Sequence, residues 1–236
     1  DYESMASFRI QRQSFLMDYK QEVYRLYRPF YKKNINMDVI PSDSDFDKYK
    51  VLLLPVMIVH KKEVQDKVRK FVSGGGTVVF TYRTAVKDYY NNLTLGQFNP
   101  TYYTDLVGGY VEEVESFQDD QVALLIGNEE FEGINGTATV FRDMLKTTTA
   151  KTLFKYEDEF FEDLAAVTLN EYEGGKVYYI GSGADNTIMD AITNKIINES
   201  NLDAIESEEG VEVVRRSLNN EDYYFVMNHT SDEKKF

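Results

Sequence analysis

The 236 residues are 42% hydrophobic, enough to bury a sizeable core and to make one large domain plus a fragment. With 26 Lys and Arg against 40 Asp and Glu, the net charge of −14 disfavours nucleic acid and anionic lipid as partners. The absence of cysteine excludes disulfides, thiolate nucleophiles and sulfur-ligated metals, and is compatible with a bacterial cytoplasm; no apolar run reaches the roughly 20 residues that span a bilayer.

The first residues, Asp1-Tyr2-Glu3-Ser4, have the form of neither an initiator segment nor a signal peptide, so the chain is expected to start inside a longer protein. From Gln13 to Lys33 the residues Phe15, Leu16, Tyr19, Val23, Leu26, Tyr27 and Phe30 recur at helical spacing and predict one long amphipathic helix, with Asn34 as its C-terminal cap. Met37 to Ile40 reads as a short strand before a polar loop. Val51 to Val56 is an unbroken apolar run, which marks a strand covered on both faces. Lys61 to Ser73 places Val64, Val68, Phe71 and Val72 on one helical face, Gly74-Gly75-Gly76 ends that helix, and Thr77 to Tyr82 is a second buried strand. This strand-helix-strand order implies right-handed crossovers and an open, mainly parallel sheet with helices on both faces, a three-layer α/β/α architecture.

The middle of the chain is less regular. Arg83 to Tyr110 reads as a long excursion with one short helix near Tyr102 to Leu106, the place where special surface is built. Strands are predicted at Tyr110–Val114, Val122–Ile126, Thr137–Phe141 and Thr152–Tyr156. Ala165–Tyr172 and Lys176–Ile180, joined through Glu173-Gly174-Gly175, predict a β-hairpin. Asn186–Asn198 is a closing helix. The first domain is expected to span residues 1–204. Beyond an acidic connector, residues 210–236 form the opening of a second, β-rich domain, of which a hairpin from Val211 to Met227 is present.

Little in this sequence carries chemistry. Gly74-Gly75-Gly76 leaves a helix and enters a strand, which suits a helix cap rather than a phosphate cradle. Gly181-Ser182-Gly183 follows a strand and precedes a helix, where amides could meet an anion, although a tight turn is the plainer reading. His60 and His229 stand far apart and offer neither a metal site nor a catalytic dyad. Glu157-Asp158-Glu159 and Glu162-Asp163 read as an exposed acidic loop, because nothing marks two of them as a buried, opposed pair. The most informative stretch is Tyr82-Arg83-Thr84-Ala85-Val86-Lys87-Asp88, at the C-terminal end of a strand, where partners and ligands of an open sheet collect. Arg83, Lys87, Asp88 and Gly181 are therefore the candidate cleft or interface residues, with an Arg83 to Asp88 ion pair expected to hold the loop. No catalytic residue, metal ligand or cofactor is expected.

In order along the chain, Tyr27-Arg28-Pro29-Phe30, Gly75-Gly76-Thr77-Val78-Val79, Arg83-Thr84-Ala85-Val86-Lys87-Asp88, Leu106-Val107-Gly108-Gly109-Tyr110-Val111-Glu112-Glu113, Gly174-Gly175-Lys176-Val177-Tyr178-Tyr179-Ile180-Gly181 and Gly210-Val211-Glu212-Val213 with Asn228-His229-Thr230 form a series. That series resembles the trimerisation domain, and the start of the C-terminal β domain, of the β-galactosidases of glycoside hydrolase family 42. Thr84 and Ala85 stand where the family has Ser and Gly. The resemblance implies a flavodoxin-like fold similar to class I glutamine amidotransferases, and a homotrimeric cytoplasmic enzyme. It also implies that the two catalytic glutamates lie in an upstream TIM barrel that binds terminal β-galactosides and hydrolyses them with retention. It makes Asp1-Tyr2-Glu3-Ser4 the end of a central first strand that lies mostly before Asp1. Two other readings stand beside it: a carbohydrate or small-molecule binding module using the strand-end cleft, and an amidotransferase-like hydrolase.

Overall fold

The computed structural model describes residues 1–235. Its described residues form five α-helices, α1 (Tyr2–Ile10), α2 (Tyr19–Tyr31), α3 (Lys62–Ser73), α4 (Thr104–Val107) and α5 (Asn186–Glu199). The strands are β1 (Val51–Leu54), β2 (Thr77–Thr81), β3 (Gly109–Ser116), β4 (Ala123–Gly127), β5 (Asn135–Thr147), β6 (Lys151–Tyr156), β7 (Ala165–Tyr172), β8 (Gly175–Ile180), β9 (Ser182–Ala184), β10 (Val211–Leu218) and β11 (Glu221–Asn228).

Nine strands make one mixed sheet in the order β1-β2-β8-β7-β6-β4-β5-β3, with β9 on β5. The parallel character belongs to β1, β2 and β8. Beyond β8 the neighbours run antiparallel, and β5 also meets β7 at Leu145 opposite Ala165, so that β7, β6, β4 and β5 close on themselves.

The strand period of two sorts the core into layers. Val78 and Phe80 of β2 and Val177 and Tyr179 of β8 pack with Val64, Val68, Phe71 and Val72 of α3. Their neighbours Val79, Tyr178 and Ile180 point the other way, into Leu26 and Phe30 of α2 and Ile188, Ile192 and Ile196 of α5. This is the three-layer α/β/α arrangement, with the C-terminal hairpin of β10 and β11 beside it. Each fully buried Val or Ile in these layers contributes on the order of 1.5–3 kcal/mol.

The local elements follow their predicted ends closely in most places. Gly74 closes α3, its N–H donating to Lys70 C=O at 3.0 Å. The β7–β8 hairpin turns through Glu173 (φ 47°) and Gly174 (φ 94°), a left-handed pair whose second member, glycine, adopts that conformation without steric cost.

Three expectations are corrected. Residues 1–4 are not the end of a strand: Asp1 caps α1, its carboxylate accepting from the Ser4 N–H at 2.9 Å, and Ser4, Ser7 and Phe8 are buried. The long helix expected from Gln13 starts only at Tyr19. Residues 11–18 are not helical, and Asp18 starts α2 by accepting from the Gln21 N–H at 3.0 Å, which leaves Phe15 97% exposed. Met37 to Ile40 pairs with no strand, and Val39 faces solvent.

Candidate functional site

The C-terminal ends of β1 and β2 are roofed by a separate apolar cluster, in which Phe8 of α1 and Met17 meet Val56, Ile58, Val59, Tyr82, Val86, Val140 and Phe141. The segment Tyr82 to Asp88 runs beneath this roof. Arg83 (φ 60°) and Ala85 (φ 53°) both adopt left-handed backbone, at a cost of roughly 1–2 kcal/mol each for a residue with a Cβ. Ala85 occupies the position at which the resembling family pattern has glycine, the residue that adopts this conformation freely. The bend is held by the Ala85 N–H donating to Met57 C=O at 2.7 Å and the Lys87 N–H donating to Ile58 C=O at 3.0 Å.

Arg83 does not pair with Asp88. Its backbone N–H donates to Asp143 Oδ2 at 2.6 Å, and its guanidinium lies 4.0 Å from Asp143 Oδ1 and over the Phe141 ring. Asp143, on β5, is fully buried; Tyr179 Oη donates to its Oδ2 at 2.7 Å, and Tyr156 Oη donates to its backbone carbonyl at 3.1 Å. Burial pushes the Asp143 carboxyl up from the usual carboxylate range, with the Arg83 charge pulling the other way, and burial pushes the Tyr179 hydroxyl well above its ordinary value. Sequence reasoning missed Asp143 because it sits inside a strand whose periodicity it breaks; a buried charge pair is legible only once β5 and the Arg83 turn are brought together.

Asp88 instead organises the next turn, accepting from the Tyr90 and Asn92 N–H groups, each at 2.9 Å. These bonds hold its carboxyl below the ordinary value. Lys87 points inward and is 1% exposed. Its ammonium donates to Gln11 Oε1 at 2.9 Å, Asn91 Oδ1 at 3.0 Å and Ser7 Oγ at 3.2 Å, three neutral acceptors that tie α1 to the following loop. Burial lowers its pKa, and the Arg83 charge adds to the effect.

Gly181 lies apart from this loop sequence but against the backbone of the same residue, Asp143. Its carbonyl accepts from the Asp143 N–H at 2.6 Å, and a Cβ there would lie 2.4 Å from Asp143 C=O and 3.0 Å from Ala166 C=O. Glycine is needed at that crossing for close backbone approach. Ser182 to Ala184 continue as β9, and the N-terminus of α5 is capped by Asp185. The structure thus brings Arg83 and Gly181 together through Asp143, and sends Lys87 and Asp88 toward α1 and the loop. All of Arg83, Lys87 and Gly181 are closed over by protein.

The remaining titratable groups stay dispersed. His60 stacks edge-on against Tyr102 at 4.6 Å, and burial lowers its pKa against the opposing Asp88 charge; His229 lies 2.9 Å from Glu212 in the hairpin. In the acidic loop Asp158 pairs with Arg142 at 3.1 Å, while Glu157, Glu159, Glu162 and Asp163 face solvent. Among the described residues no group of three or more His, Asp or Glu side chains forms a metal cradle, and no helix is long and apolar enough to cross a membrane.

Comparison with known proteins matches this framework over its whole length. The family model of the β-galactosidase trimerisation domain matches residues 1–203, and that of the β-galactosidase C-terminal domain matches residues 210–236. The β-galactosidase GalA of Bacillus licheniformis is 31% identical over 218 residues, 90% of this chain and 31% of that protein. The β-galactosidase BgaP of a Planococcus species is 27% identical over 221 residues, 92% of this chain and 32% of that protein. The crystal structure of the β-galactosidase from Bacillus circulans sp. alkalophilus superposes with a TM-score of 0.94 at 27% identity, covering 99% of this chain and 35% of that one. The chain spans about a third of the length of these relatives. It belongs to the trimerisation-domain family of the glycoside hydrolase family 42 β-galactosidases.

Proposed function

We propose that this chain is the non-catalytic assembly domain of a cytoplasmic β-galactosidase. Three copies associate through it, and a barrel outside these residues hydrolyses terminal β-galactosides with retention. The observation that carries the reading is the match of the trimerisation-domain family to residues 1–203. The geometry supports it: the polar groups at the strand ends are spent on one another, Arg83 on Asp143 and Lys87 on Ser7, Gln11 and Asn91. With those side chains closed over, a carbohydrate-binding cleft at this position has no open polar floor. An amidotransferase-like reaction lacks a cysteine nucleophile in the sequence.

The chain divides at residues 204–210. The first unit carries the assembly function and the hairpin opens a β domain that leans on it. Asn34 makes that joint: its side chain donates to Ile205 C=O at 2.7 Å and Ser207 Oγ at 2.8 Å, and accepts from the Val213 N–H at 2.8 Å.

The purified chain is expected to release no nitrophenol from a nitrophenyl β-galactoside, while the intact enzyme does. Turnover by the chain alone, abolished by substitution of one of its own carboxylates, would place the catalytic centre here and overturn the reading.

A further inference from the structure

Residues 89–104 form the longest stretch of the chain without a charged side chain, in a protein where 28% of residues are charged. The stretch is neither buried strand nor loose loop. Its backbone is pinned along the 85–87 segment: the Thr94 N–H donates to Val86 C=O at 3.2 Å, the Thr101 N–H donates to Ala85 C=O at 3.1 Å, and Leu93 bridges to Lys87. Asn91 accepts from the buried Lys87 ammonium and from Ser7 Oγ at 2.6 Å, and Asn99 accepts from the Val111 N–H at 2.7 Å.

Pro100, Thr101 and Tyr103 anchor this backbone in the protein, and its other large side chains point out. Tyr90 is 81% and Leu95 84% exposed, and Tyr89, Leu93, Phe98 and Tyr102 are exposed beside them. Rigid display of large apolar and aromatic groups on an uncharged surface is the composition of an interface core, where charge is depleted and Tyr and Phe are enriched. Holding the loop in one conformation also lowers the entropy lost when a partner docks.

We propose that this loop is the contact through which one copy of the chain binds the next in the trimer, a reading that rests on the assembly function above. The charge of the chain selects the occupant. Each copy carries −14, so copies repel one another over most of their surface and can be brought into close contact where that charge is absent. Two other groups of exposed apolar side chains do not meet this condition. Phe160 lies within the acidic run 157–163, and Tyr223 to Met227 alternate across β10 from Arg215, Arg216 and Glu212. In a closed ring of three the interface is heterologous, so the loop of each copy meets a different face of its neighbour and a single substitution acts once at every contact.

The test uses the intact enzyme with Tyr90→Asp and Leu95→Asp together, both on exposed side chains that leave the core untouched. Light scattering across a dilution series is expected to show a trimer for the unaltered enzyme, and association weakened by at least about 100-fold in the double variant. Circular dichroism is expected to stay the same, because both substitutions leave the fold of the subunit intact. A double variant that stays trimeric to the same dilution overturns the proposal and leaves the assembly function standing; an unaltered enzyme that is monomeric overturns the assembly function itself. Hydrogen exchange separates the remaining occupant. Protection of residues 89–102 that is lost on dilution supports contact between copies. Protection that persists in the monomer at residues 95–98, outside the amides that the chain's own hydrogen bonds hold, means that the enzyme's own barrel covers the loop, and overturns the proposal.

Discussion

Asp143 is the residue on which the strand-end architecture turns. It is fully buried, accepts from the Arg83 N–H and the Tyr179 hydroxyl, and faces the Arg83 guanidinium. Removing one partner of a buried pair leaves the other charge uncompensated, which typically costs about 3–5 kcal/mol. Asp143→Ala is therefore expected to lower the unfolding free energy of the chain by about that much, measured by urea titration; a loss below about 1 kcal/mol would mean that the pair is not structurally coupled. This pair was not legible in the sequence. Arg83 and Asp143 are 60 residues apart, and the nearer carboxylate, Asp88, is the natural partner on paper. It is excluded because the left-handed turn at Arg83 and Ala85 lays the guanidinium over the Phe141 ring beside Asp143, while Asp88 is occupied by the Tyr90 and Asn92 amides.

At the level of elements, the reading succeeds where one periodicity dominates. The unbroken apolar runs of β1 and β2 and the single face of α3 locate the sheet and one covering layer, because side chains on both faces of these strands pack into the core clusters. It fails where a capping carboxylate overrides periodicity. Leu16 and Phe15 continue the helical spacing, yet Asp18 starts α2 after them, and such a cap contributes about 1 kcal/mol. It also fails at β5, whose length is hidden by the buried Arg142 and Asp143 in mid-strand. The link between α3 and α4 supplies a test by pH. Arg69 holds Asp105 in a two-pronged pair, both contacts at 2.8 Å, and this hydrogen bonding lowers the Asp105 carboxyl below its ordinary value. A carboxyl whose folded pKa is depressed stabilises the fold above its unfolded pKa and loses that contribution as pH falls through the folded one. Asp105→Asn is therefore expected to reduce stability at neutral pH by up to about 1 kcal/mol and to shrink the difference from the unaltered chain below pH 4. A difference that grows on acidification would contradict the assignment.

For the molecule as a whole, the sequence motifs located the family and the structure explains why so few of their residues offer chemistry. Arg83, Lys87, Asp88 and Gly181 hold turns and crossings, and what they hold in place is a charge-free aromatic loop on the surface. That consequence was hidden in the sequence, because exposure of Tyr90 and Leu95 depends on bonds made by Lys87, Asp88 and Ala85. The central claim, that this chain exists to join copies of a β-galactosidase, is tested most directly by the native mass of the intact enzyme at micromolar concentration. The account predicts three times the mass of one subunit, and a mass equal to one subunit would contradict it.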